Sequence, residues 1–162
     1  MRIAILTVST AGAAGKRKDT SGDAIVAWAT EHRHDVVARA LVSDDVNAIV
    51  VALLAWCDGD AADLVLTTGG TGLSPTDRTP EATRVVMERE APGIAEWLRA
   101  SATTGFPKAA LSRGVSGSRN KTLIVNLPGS PGGVKDSLAA LEPVVGHAVA
   151  VLRGEVGDHG SA

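Results

Sequence analysis

The chain has 162 residues, of which 44% are hydrophobic and 21% charged, and its formal net charge at pH 7 is −2. This length fits one domain with its own core, and the slightly acidic balance argues against a general nucleic-acid binder, which needs a basic surface to neutralise phosphates. No apolar run approaches the about 18 residues of a membrane span, and the apolar N-terminus is too short for a signal peptide. We therefore expect a cytoplasmic protein that binds neither nucleic acid nor membranes.

Cysteine and histidine usage limits the metal and redox chemistry of the chain. The single cysteine, Cys57, cannot form an intrachain disulfide or a cysteine-cluster zinc site, and its position on a predicted helix indicates a small buried side chain. The four histidines show no metal-ligand spacing, and His32 and His34 are predicted to lie in a turn between a helix and a strand. These residues therefore give no support to a zinc site.

Short apolar strands alternate with helices in the first half of the chain. The strands are recognised by short, partly β-branched apolar runs, and the helices by apolar residues three and four positions apart. Capping residues and glycines set the predicted helix ends. The predicted elements are a strand over Ile3–Val8, a polar loop over Ser9–Thr20, a helix from an N-cap at Ser21 to about His32, a strand over Asp35–Val42, a helix that opens at Ser43–Asp45 and ends at Gly59, and a strand over Asp63–Thr68.

The second half continues the alternation. Two prolines shape the prediction, since Pro92 should separate two helices and Pro143 should kink or restart the last helix. The predicted elements are a helix with Thr79 as N-cap and Pro80 at its first position, a second helix after Pro92, strands near Val115 and over Lys121–Leu127 joined by a turn at Gly117–Asn120, and a helix from Val134 to Leu152 that Gly154 ends. We expect a single domain over residues 1–154 and a mobile tail over residues 155–162.

The alternation itself predicts the fold class and the place of the site. Strands and helices that alternate along a chain favour a mostly parallel sheet with helices on both faces. Ligands of such folds bind at the carboxyl ends of the strands, where loops lead into helices. The loops after the predicted strands are therefore the candidate sites, and two of them are rich in glycine.

The first glycine loop lies in the segment Thr67–Glu81, which reads TTGGTGLSPTDRTPE. Because no Cβ blocks the way, the backbone N–H groups of Gly69–Gly72 can approach an anion closely, and the hydroxyls of Thr68 and Thr71 could add donors. The start of the next helix adds a dipole that favours negative charge. The segment matches neither the Walker A pattern nor the dinucleotide fingerprint, so on its own it is compatible with a phosphate loop and with a tight turn.

Two aspartates follow predicted strands at the same edge of the sheet. Asp77 lies in the first glycine loop, where an acidic residue beside a bound anion is costly unless a cation lies between them. Mg²⁺ takes oxygen ligands and usually only one or two carboxylates, so Asp77 and Asp44, which emerges after the second strand, would suit a magnesium–nucleotide site. Each aspartate also has a simpler interpretation: Asp77 pairs with Arg78 or caps a turn, and Asp44 or a neighbour caps the next helix.

The second glycine loop, Asn126–Val134, joins a predicted strand to the last helix. Ser130 and the N–H groups of Gly129, Gly132 and Gly133 could hold another phosphate or the polar edge of a heterocycle. Two prolines stiffen the loop, which lowers the entropy lost when a ligand is clamped. A helix-starting turn without a ligand is the alternative interpretation.

Basic residues are spread over loops and strand ends. Most are expected to be solvated surface charges. Arg119 and Lys121 are of more interest, because they flank a turn just before the strand that feeds the second glycine loop.

These motifs resemble the two signatures of the MogA/MoaB family of molybdenum cofactor biosynthesis. The segments TTGGTG at 67–72 and PTDRTPEAT at 75–83 are similar to its first signature, and NLPGSP at 126–131 is similar to its second. The segments VST at 8–10 and DTSG at 19–22 resemble the first loop and helix start of the family. The resemblance runs from about Arg2 to Gly154, with both long motifs in the right order and spacing.

The resemblance implies a three-layer α/β/α fold whose mixed sheet is mostly parallel with one antiparallel strand, assembled as a homotrimer or a dimer of trimers. It implies a molybdopterin adenylyltransferase that transfers AMP from Mg-ATP to molybdopterin, releases pyrophosphate and hands its product to a molybdate-inserting enzyme. Position by position, Asp44 and Asp77 match the family's two aspartates, with catalytic and Mg²⁺-binding roles. The matched nucleotide- and substrate-binding positions are Thr68, Gly69, Gly70, Thr71, Gly72, Gly129, Ser130 and Pro131.

Two positions depart from the family pattern, and two rival functions stay open. Many members have Pro where this chain has Ser43, directly before Asp44, and many have Arg where it has Ala11, a contact that Lys16–Lys18 replace or that this chain lacks. The principal rival is a non-catalytic MoaB-type protein that binds pterin or nucleotide without transferring anything. A scaffold like the related domain of gephyrin is disfavoured, because no extra domain or interaction tail is evident in the sequence.

Overall fold

The computed structural model of the protein describes residues 1–155 and shows a six-stranded sheet between two layers of helices. The strands are β1 Arg2–Val8, β2 Asp35–Val42, β3 Leu64–Thr68, β4 Arg89–Glu90, β5 Ser116–Arg119 and β6 Thr122–Leu127. Their order across the sheet is β2-β1-β3-β6-β5-β4. Strands β1, β2, β3 and β6 run parallel, whereas β5 is antiparallel to both of its neighbours. The predicted three-layer fold with one antiparallel strand is confirmed.

Within residues 1–155 helices connect successive strands, except that a two-residue turn joins β5 to β6. The helices are α1 Thr10–Ala13, α2 Thr20–Glu31, α3 Val46–Asp58, α4 Thr79–Val86, α5 Pro92–Thr103, a 3₁₀-helix over Pro107–Leu111, and α6 Pro131–Arg153. In this part of the chain no helix is both long enough and apolar enough to span a membrane. The predicted mobile tail, residues 155–162, lies outside the described residues apart from Glu155.

The sheet separates two apolar clusters, because successive side chains of a strand point to opposite faces. Ile3 and Ile5 of β1 belong to the cluster that packs under α2, α5 and α6. Ala4 and Leu6 of the same strand belong to the cluster under α3 and α4. β3 is buried along its whole length, as expected of a parallel strand covered on both faces. This burial fixes the register that aligns the loops at the carboxyl ends of the strands.

Cys57 of α3 has the buried position that the sequence predicts. Its side chain is 1% exposed, within the cluster under α3 and α4. Burial, reinforced by the charge of Asp58, raises the pKa of the Cys57 thiol to about 11. The thiol therefore stays protonated at neutral pH and serves as a small apolar side chain.

Two predicted N-caps are wrong by a few residues. Helix α2 is capped by Asp19 and not by Ser21, since the Asp19 carboxylate accepts a 2.9 Å hydrogen bond from the N–H of Gly22. Thr79 is the first residue of α4 and not its cap, because its hydroxyl donates to the carbonyl of Gly69 over 2.8 Å. The start of α2 is thus set by a local cap two residues earlier than predicted, whereas the start of α4 is set by a contact with the first glycine loop, which local propensity does not register.

Three further differences follow from tertiary packing. Helix α6 continues through Pro143 without a restart, because apolar residues on both sides of the proline, including Leu138 and Val145, are buried. The residues near Val115 form a strand that extends through Arg119, so the turn is shorter than predicted. The four-residue helix α1 and the two-residue strand β4 are too short for sequence periodicity to indicate.

Candidate active site

The carboxyl ends of the parallel strands bring together loops that are far apart in sequence. In the pairing register, Thr7 of β1 lies opposite Thr68 of β3, which in turn lies opposite Leu127 of β6. The loops after β1, β2, β3 and β6 therefore leave the sheet at one edge, where ligands of such folds bind. Both glycine loops and both predicted aspartates lie at this edge.

The first glycine loop turns sharply because two of its residues adopt left-handed backbone conformations. The φ angle is 91° at Gly69 and 64° at Gly70. A Cβ at Gly69 would lie 2.3 Å from the carbonyl oxygen of Val8, and one at Gly70 would lie 2.4 Å from Thr79 Oγ1. Only glycine fits these two positions, so the tight turn and the open backbone surface predicted for a phosphate loop occur together.

The two glycine loops contact each other through backbone atoms. Thr68 is buried, and its hydroxyl donates a 2.6 Å hydrogen bond to the carbonyl of Pro128. A Cβ at Gly129 would lie 3.2 Å from the Cα of Gly69. Thr68 thus ties the two loops together, and it lines neither of the cavities described below; its predicted contact with a nucleotide stays a prediction.

The second glycine loop is also the start of α6. Ser130 is the N-cap, and its Oγ accepts a 3.1 Å hydrogen bond from the N–H of Gly133. Pro131 occupies the first turn, where its missing N–H is not needed. The helix-starting turn is therefore present, and the same loop lines the cavities, so the two interpretations of this segment do not exclude each other.

The Asp44 carboxylate is held by the loop after β1. Its Oδ2 accepts hydrogen bonds from the N–H of Thr10 over 3.0 Å and from the Thr10 hydroxyl over 2.7 Å. Its Oδ1 faces the glycine loop, since a Cβ at Gly70 would lie 3.1 Å from that oxygen. The neighbouring Asp45 caps α3 through the N–H of Ala48, which leaves Asp44 free of the capping role.

The Asp77 carboxylate folds back onto its own loop. Its Oδ2 accepts a 3.1 Å hydrogen bond from the N–H of Ser74, and a Cβ at Gly72 would lie 2.7 Å from the same oxygen. Within residues 1–155 the Oδ1 atoms of Asp77 and Asp44 accept no hydrogen bond from the protein. Each aspartate therefore has one oxygen that positions it and one that remains available.

Two cavities open at this edge of the sheet. The smaller, of about 340 Å³, holds charged groups: Arg17, Lys18, Asp19, Asp44 and Asp77. The larger, of about 720 Å³, lies under α5 and the 3₁₀-helix and has a mainly apolar wall, although four charged residues are among those that line it. A small polar cavity beside a larger, mainly apolar one suits two ligand parts of different chemistry, a polyphosphate and a heterocycle.

The two cavities meet at the predicted site. Both are lined by Gly70, Asp77, Gly129 and Ser130. Thr71 and Gly72 line only the larger cavity, whereas Gly69 and Asp44 line only the smaller one. Groups bound in the two cavities would therefore come together between the two glycine loops, which is the geometry that a transfer between two substrates needs.

Asp19 is a residue of the site that the sequence interpretation did not single out. It lines the smaller cavity and accepts hydrogen bonds from Thr7 Oγ1 over 2.9 Å and from Arg39 over 2.7 Å. Burial acts to raise the pKa of Asp19, but the hydrogen bonds from Arg39, Gly22 and Thr7 outweigh it and hold that pKa below its ordinary value. Its position at the family's helix-start segment, DTSG, is the signal that could have indicated it.

Arg119 and Lys121, the two basic residues of more interest in the sequence, lie away from this site. Arg119 ends β5, which is antiparallel, so it lies at the opposite edge of the sheet, where its Nε donates to Asp58 Oδ1 over 2.6 Å. Neither residue lines either cavity. The reversed direction of β5 explains the error, because it carries the turn after this strand away from the carboxyl ends.

The carboxylates at the site suit a Mg²⁺ ion that is bound together with a nucleotide better than a metal ion that is held by protein ligands alone. Among residues 1–155 no group of three or more His, Cys, Asp or Glu side chains is arranged to hold a metal ion. Asp44 and Asp77 each leave one oxygen available at the rim of the smaller cavity. One or two carboxylates, with phosphate oxygens and water completing the shell, are the ligands that nucleotide-bound Mg²⁺ takes.

A mixed α/β sheet with two glycine loops and two aspartates at one edge defines an anion-binding domain of the doubly wound class. Residues 4–147 match the family described as "Probable molybdopterin binding domain". The chain belongs to this family.

Relatives and solved structures agree with that assignment. The chain is 36% identical over 156 residues to a molybdopterin adenylyltransferase of Helicobacter pylori, covering 95% of this chain and 89% of that protein. It is 42% identical over 130 residues to the molybdenum cofactor biosynthesis protein B of Escherichia coli, covering 80% and 75% of the two chains. The crystal structure of the molybdopterin biosynthesis enzyme MoaB from Thermus thermophilus is similar with a TM-score of 0.90 and 49% identity, covering 94% of this chain and 96% of that one.

Proposed function

We propose that this protein is a molybdopterin adenylyltransferase of molybdenum cofactor biosynthesis. It transfers AMP from Mg-ATP to the terminal phosphate of molybdopterin and releases pyrophosphate. The observation that carries the proposal is the junction of the two cavities, where Gly70, Asp77, Gly129 and Ser130 line both. A binding protein for one ligand needs one cavity, whereas an adenylyl transfer needs two ligands whose phosphates meet.

The chemistry of the two walls favours one arrangement of the two substrates. The triphosphate of ATP occupies the smaller cavity, where Arg17 and Lys18 supply positive charge and Asp44 and Asp77 would hold the Mg²⁺ that accompanies the nucleotide and offsets their negative charge. The pterin occupies the larger cavity, whose wall is mainly apolar. Arg17 and Lys18 thereby take the place of the family arginine that this chain lacks at Ala11.

The reaction is an in-line displacement at the α-phosphorus of ATP. An oxygen of the molybdopterin phosphate forms the new bond to this phosphorus, and the bond from the α-phosphorus to the bridging oxygen breaks, so that pyrophosphate leaves with the electron pair. The protein positions the phosphates and stabilises their charge. The backbone N–H groups of Gly69–Gly72 and the loop formed by Gly129, Ser130 and Pro131 hold the phosphates from two sides. No side chain acts as a nucleophile.

Pyrophosphate release from ATP in the presence of Mg²⁺ and molybdopterin tests this proposal. Asp77→Asn and Asp44→Asn keep the size of the side chain and remove its charge, so each is expected to lower kcat by about 10²-fold or more, the effect typical of losing one electrostatic contact to a reacting group. The matched control is Asp35→Asn, an exposed aspartate at the start of β2, at the far edge of the sheet, with wild-type activity expected.

The outcome decides between the enzyme and its rival. Wild-type activity in Asp77→Asn would refute the role given to that residue. If the wild type binds ATP and molybdopterin but releases no pyrophosphate, the result would instead favour a non-catalytic pterin- or nucleotide-binding protein. The chain's similarity to MoaB proteins is the reason to consider this alternative.

Assembly, location and hand-over belong to the same proposal. We propose a location in the cytoplasm and assembly as a homotrimer or a dimer of trimers. The assembly is supported by large apolar side chains that remain exposed on the single chain outside the two cavities, among them Val85, Trp97 and Val151. The adenylylated product would pass to a molybdate-inserting enzyme. Light scattering coupled to size-exclusion chromatography measures the assembly, and a mass of one chain would contradict the trimer.

A further inference from the structure

Arg113 joins the larger cavity's wall to the loop that carries Asp77. It lies between the 3₁₀-helix and β5, and its backbone N–H donates a 2.8 Å hydrogen bond to the carbonyl of Thr71. Its guanidinium reaches further along the same loop: Nε donates to the carbonyl of Gly72 over 2.7 Å, and Nη2 donates to the carbonyl of Asp77 over 2.9 Å. One arginine therefore contacts the loop at three points.

Glu81 orients this guanidinium. The residue lies in the first turn of α4, and its carboxylate accepts hydrogen bonds from Nη1 and Nη2 of Arg113. The hydrogen bond from Arg113 is the main reason why the pKa of Glu81 lies below its ordinary value, although burial opposes the shift. A planar, five-donor guanidinium can make this two-pronged contact and reach two carbonyls at once, which a lysine ammonium cannot.

The loop has little else to hold it. Residues 73–76 are exposed, with Leu73 at 65%, so apolar burial does not fix their conformation. The hydrogen bonds inside the loop, from Ser74 N–H to Asp77 Oδ2 and from Asp77 N–H to the Ser74 carbonyl, close a turn but do not attach it to the domain. The attachments on its two sides come from Arg113 and from Thr79, whose N–H donates to the carbonyl of Gly70 and whose hydroxyl donates to the carbonyl of Gly69.

We propose that Arg113, oriented by Glu81, is a positioning residue that sets the place of the Asp77 carboxylate relative to both substrates. The inference rests on the function proposed above for Asp77. The residues on either side of Arg113, Ser112 and Gly114, line the larger cavity. Arg113 thus couples the wall of one cavity to the carboxylate at its junction with the other.

Kinetics of Arg113→Gln test the inference. We expect kcat to fall about 10²-fold, the loss typical when a reacting group is misplaced by ~1 Å. We also expect the Mg²⁺ concentration for half-maximal rate to rise, because the affected carboxylate faces the metal of Mg-ATP, whereas the KM for molybdopterin should change little. Arg113→Lys should restore only part of the rate, and Glu81→Gln, which keeps the donors of Arg113, should lower kcat less than Arg113→Gln.

Arg119→Gln is the matched control for a merely structural role. Arg119 also pairs with a carboxylate, Asp58, and also donates to a backbone carbonyl, that of Val86, but at the opposite edge of the sheet. Both variants should lower the unfolding midpoint to a similar degree, while only Arg113→Gln changes kcat and the Mg²⁺ requirement.

Measuring Asp77→Asn beside Arg113→Gln distinguishes a failure of the positioning role from a failure of the proposed function. If Asp77→Asn loses activity while Arg113→Gln keeps wild-type kcat and Mg²⁺ dependence, the positioning role is overturned and the proposed function stands. An equal loss of kcat in Arg119→Gln would also overturn it, because the effect would then be one of general stability. Wild-type activity in Asp77→Asn would overturn the role of Asp77 and the positioning of it together.

Discussion

Gly70 occupies a position where both the backbone conformation and the space for Asp44 depend on the absence of a side chain. With φ at 64°, it lies in the left-handed region, and an added Cβ would approach Thr79 Oγ1 to 2.4 Å and Asp44 Oδ1 to 3.1 Å. Gly70→Ala therefore has to disturb either the hydroxyl that holds the start of α4 or the Asp44 carboxylate. We expect a loss of about 1–3 kcal/mol in the free energy of unfolding, typical of strain at such a backbone position, together with a large loss of adenylyl transfer.

The matched control for this change is Gly146→Ala. Gly146 lies within α6, and an added Cβ would meet nothing within 4 Å. In a helix interior this substitution should increase the free energy of unfolding by about 0.5–1 kcal/mol, with activity unchanged. Urea unfolding and pyrophosphate release measure both variants. Equal stability and activity of the two alanine variants would contradict the account of Gly70.

The glycines of the site and two of its aspartates, Asp44 and Asp77, could be predicted at the residue scale because their chemistry is local. A glycine cluster after a strand needs no tertiary information to indicate an anion-binding turn. Arg113 and Arg39 could not be found in this way, since their carboxylate partners Glu81 and Asp19 lie 32 and 20 positions away in sequence. No spacing rule connects residues that only the folded sheet brings together.

Asn126 of β6 connects β3, α4 and the segment before β5 through one buried side chain. Its Nδ2 donates to the hydroxyls of Thr67 on β3 and Thr83 on α4, over 2.9 and 3.0 Å, and its Oδ1 accepts from the N–H of Val115 before β5. Asn126→Leu keeps the branched shape of the side chain, although Leu is larger, and leaves these buried groups without their partner. We expect the free energy of unfolding to fall by about 2–4 kcal/mol, since each unsatisfied buried polar group costs about 1–3 kcal/mol.

The control for this prediction is Asn47→Leu. Asn47 lies in the first turn of α3 and is exposed, so its replacement should change the free energy of unfolding by no more than about 0.5 kcal/mol. Urea unfolding of both variants at neutral pH decides the matter. Similar small changes for both would show that the network of Asn126 contributes no stability.

At the element scale, the longer strands were predictable and the shortest elements were not. The runs that became β1, β2 and β3 are five to eight residues long and mostly apolar, which is enough to indicate a strand. β4 has two residues and exists because Arg89 and Glu90 pair with β5. The direction of β5 follows from the two-residue turn that joins it to β6, since so short a connection requires antiparallel strands, and this direction places Arg119 away from the carboxyl ends of the parallel strands.

Arginine–carboxylate contacts across the whole molecule make its stability sensitive to acid. Carboxyl groups whose pKa lies below its ordinary value in the folded chain are Asp19, Asp58, Asp60, Asp63 and Glu81. For Asp19 and Asp63 burial acts to raise the pKa, but hydrogen bonds from arginine and backbone N–H groups outweigh it. For the other three the hydrogen bond from an arginine is the largest cause.

These shifts predict how stability changes with pH. In the unfolded chain such carboxyls have their ordinary pKa values of about 4, whereas in the folded chain their pKa values are lower. At a pH between the folded and the unfolded pKa, the unfolded state therefore binds more protons than the folded state. The stabilisation is therefore complete above about pH 4 and is lost as the pH falls through the lowered folded values. We expect the urea midpoint to drop steeply below pH 4.

Asp63→Asn tests how much one of these carboxylates contributes to the pH dependence of stability. Asp63 accepts hydrogen bonds from the backbone N–H of Arg2 over 2.7 Å and from its guanidinium over 2.8 Å, and Arg153 lies 3.0 Å from the same carboxylate. The variant should be less stable than the wild type at pH 7, and the difference should shrink as the pH falls below about 4, because protonation removes the charge of the wild-type carboxylate as well. A difference that stays constant from pH 7 to pH 3 would show that the lost contribution is packing and not charge.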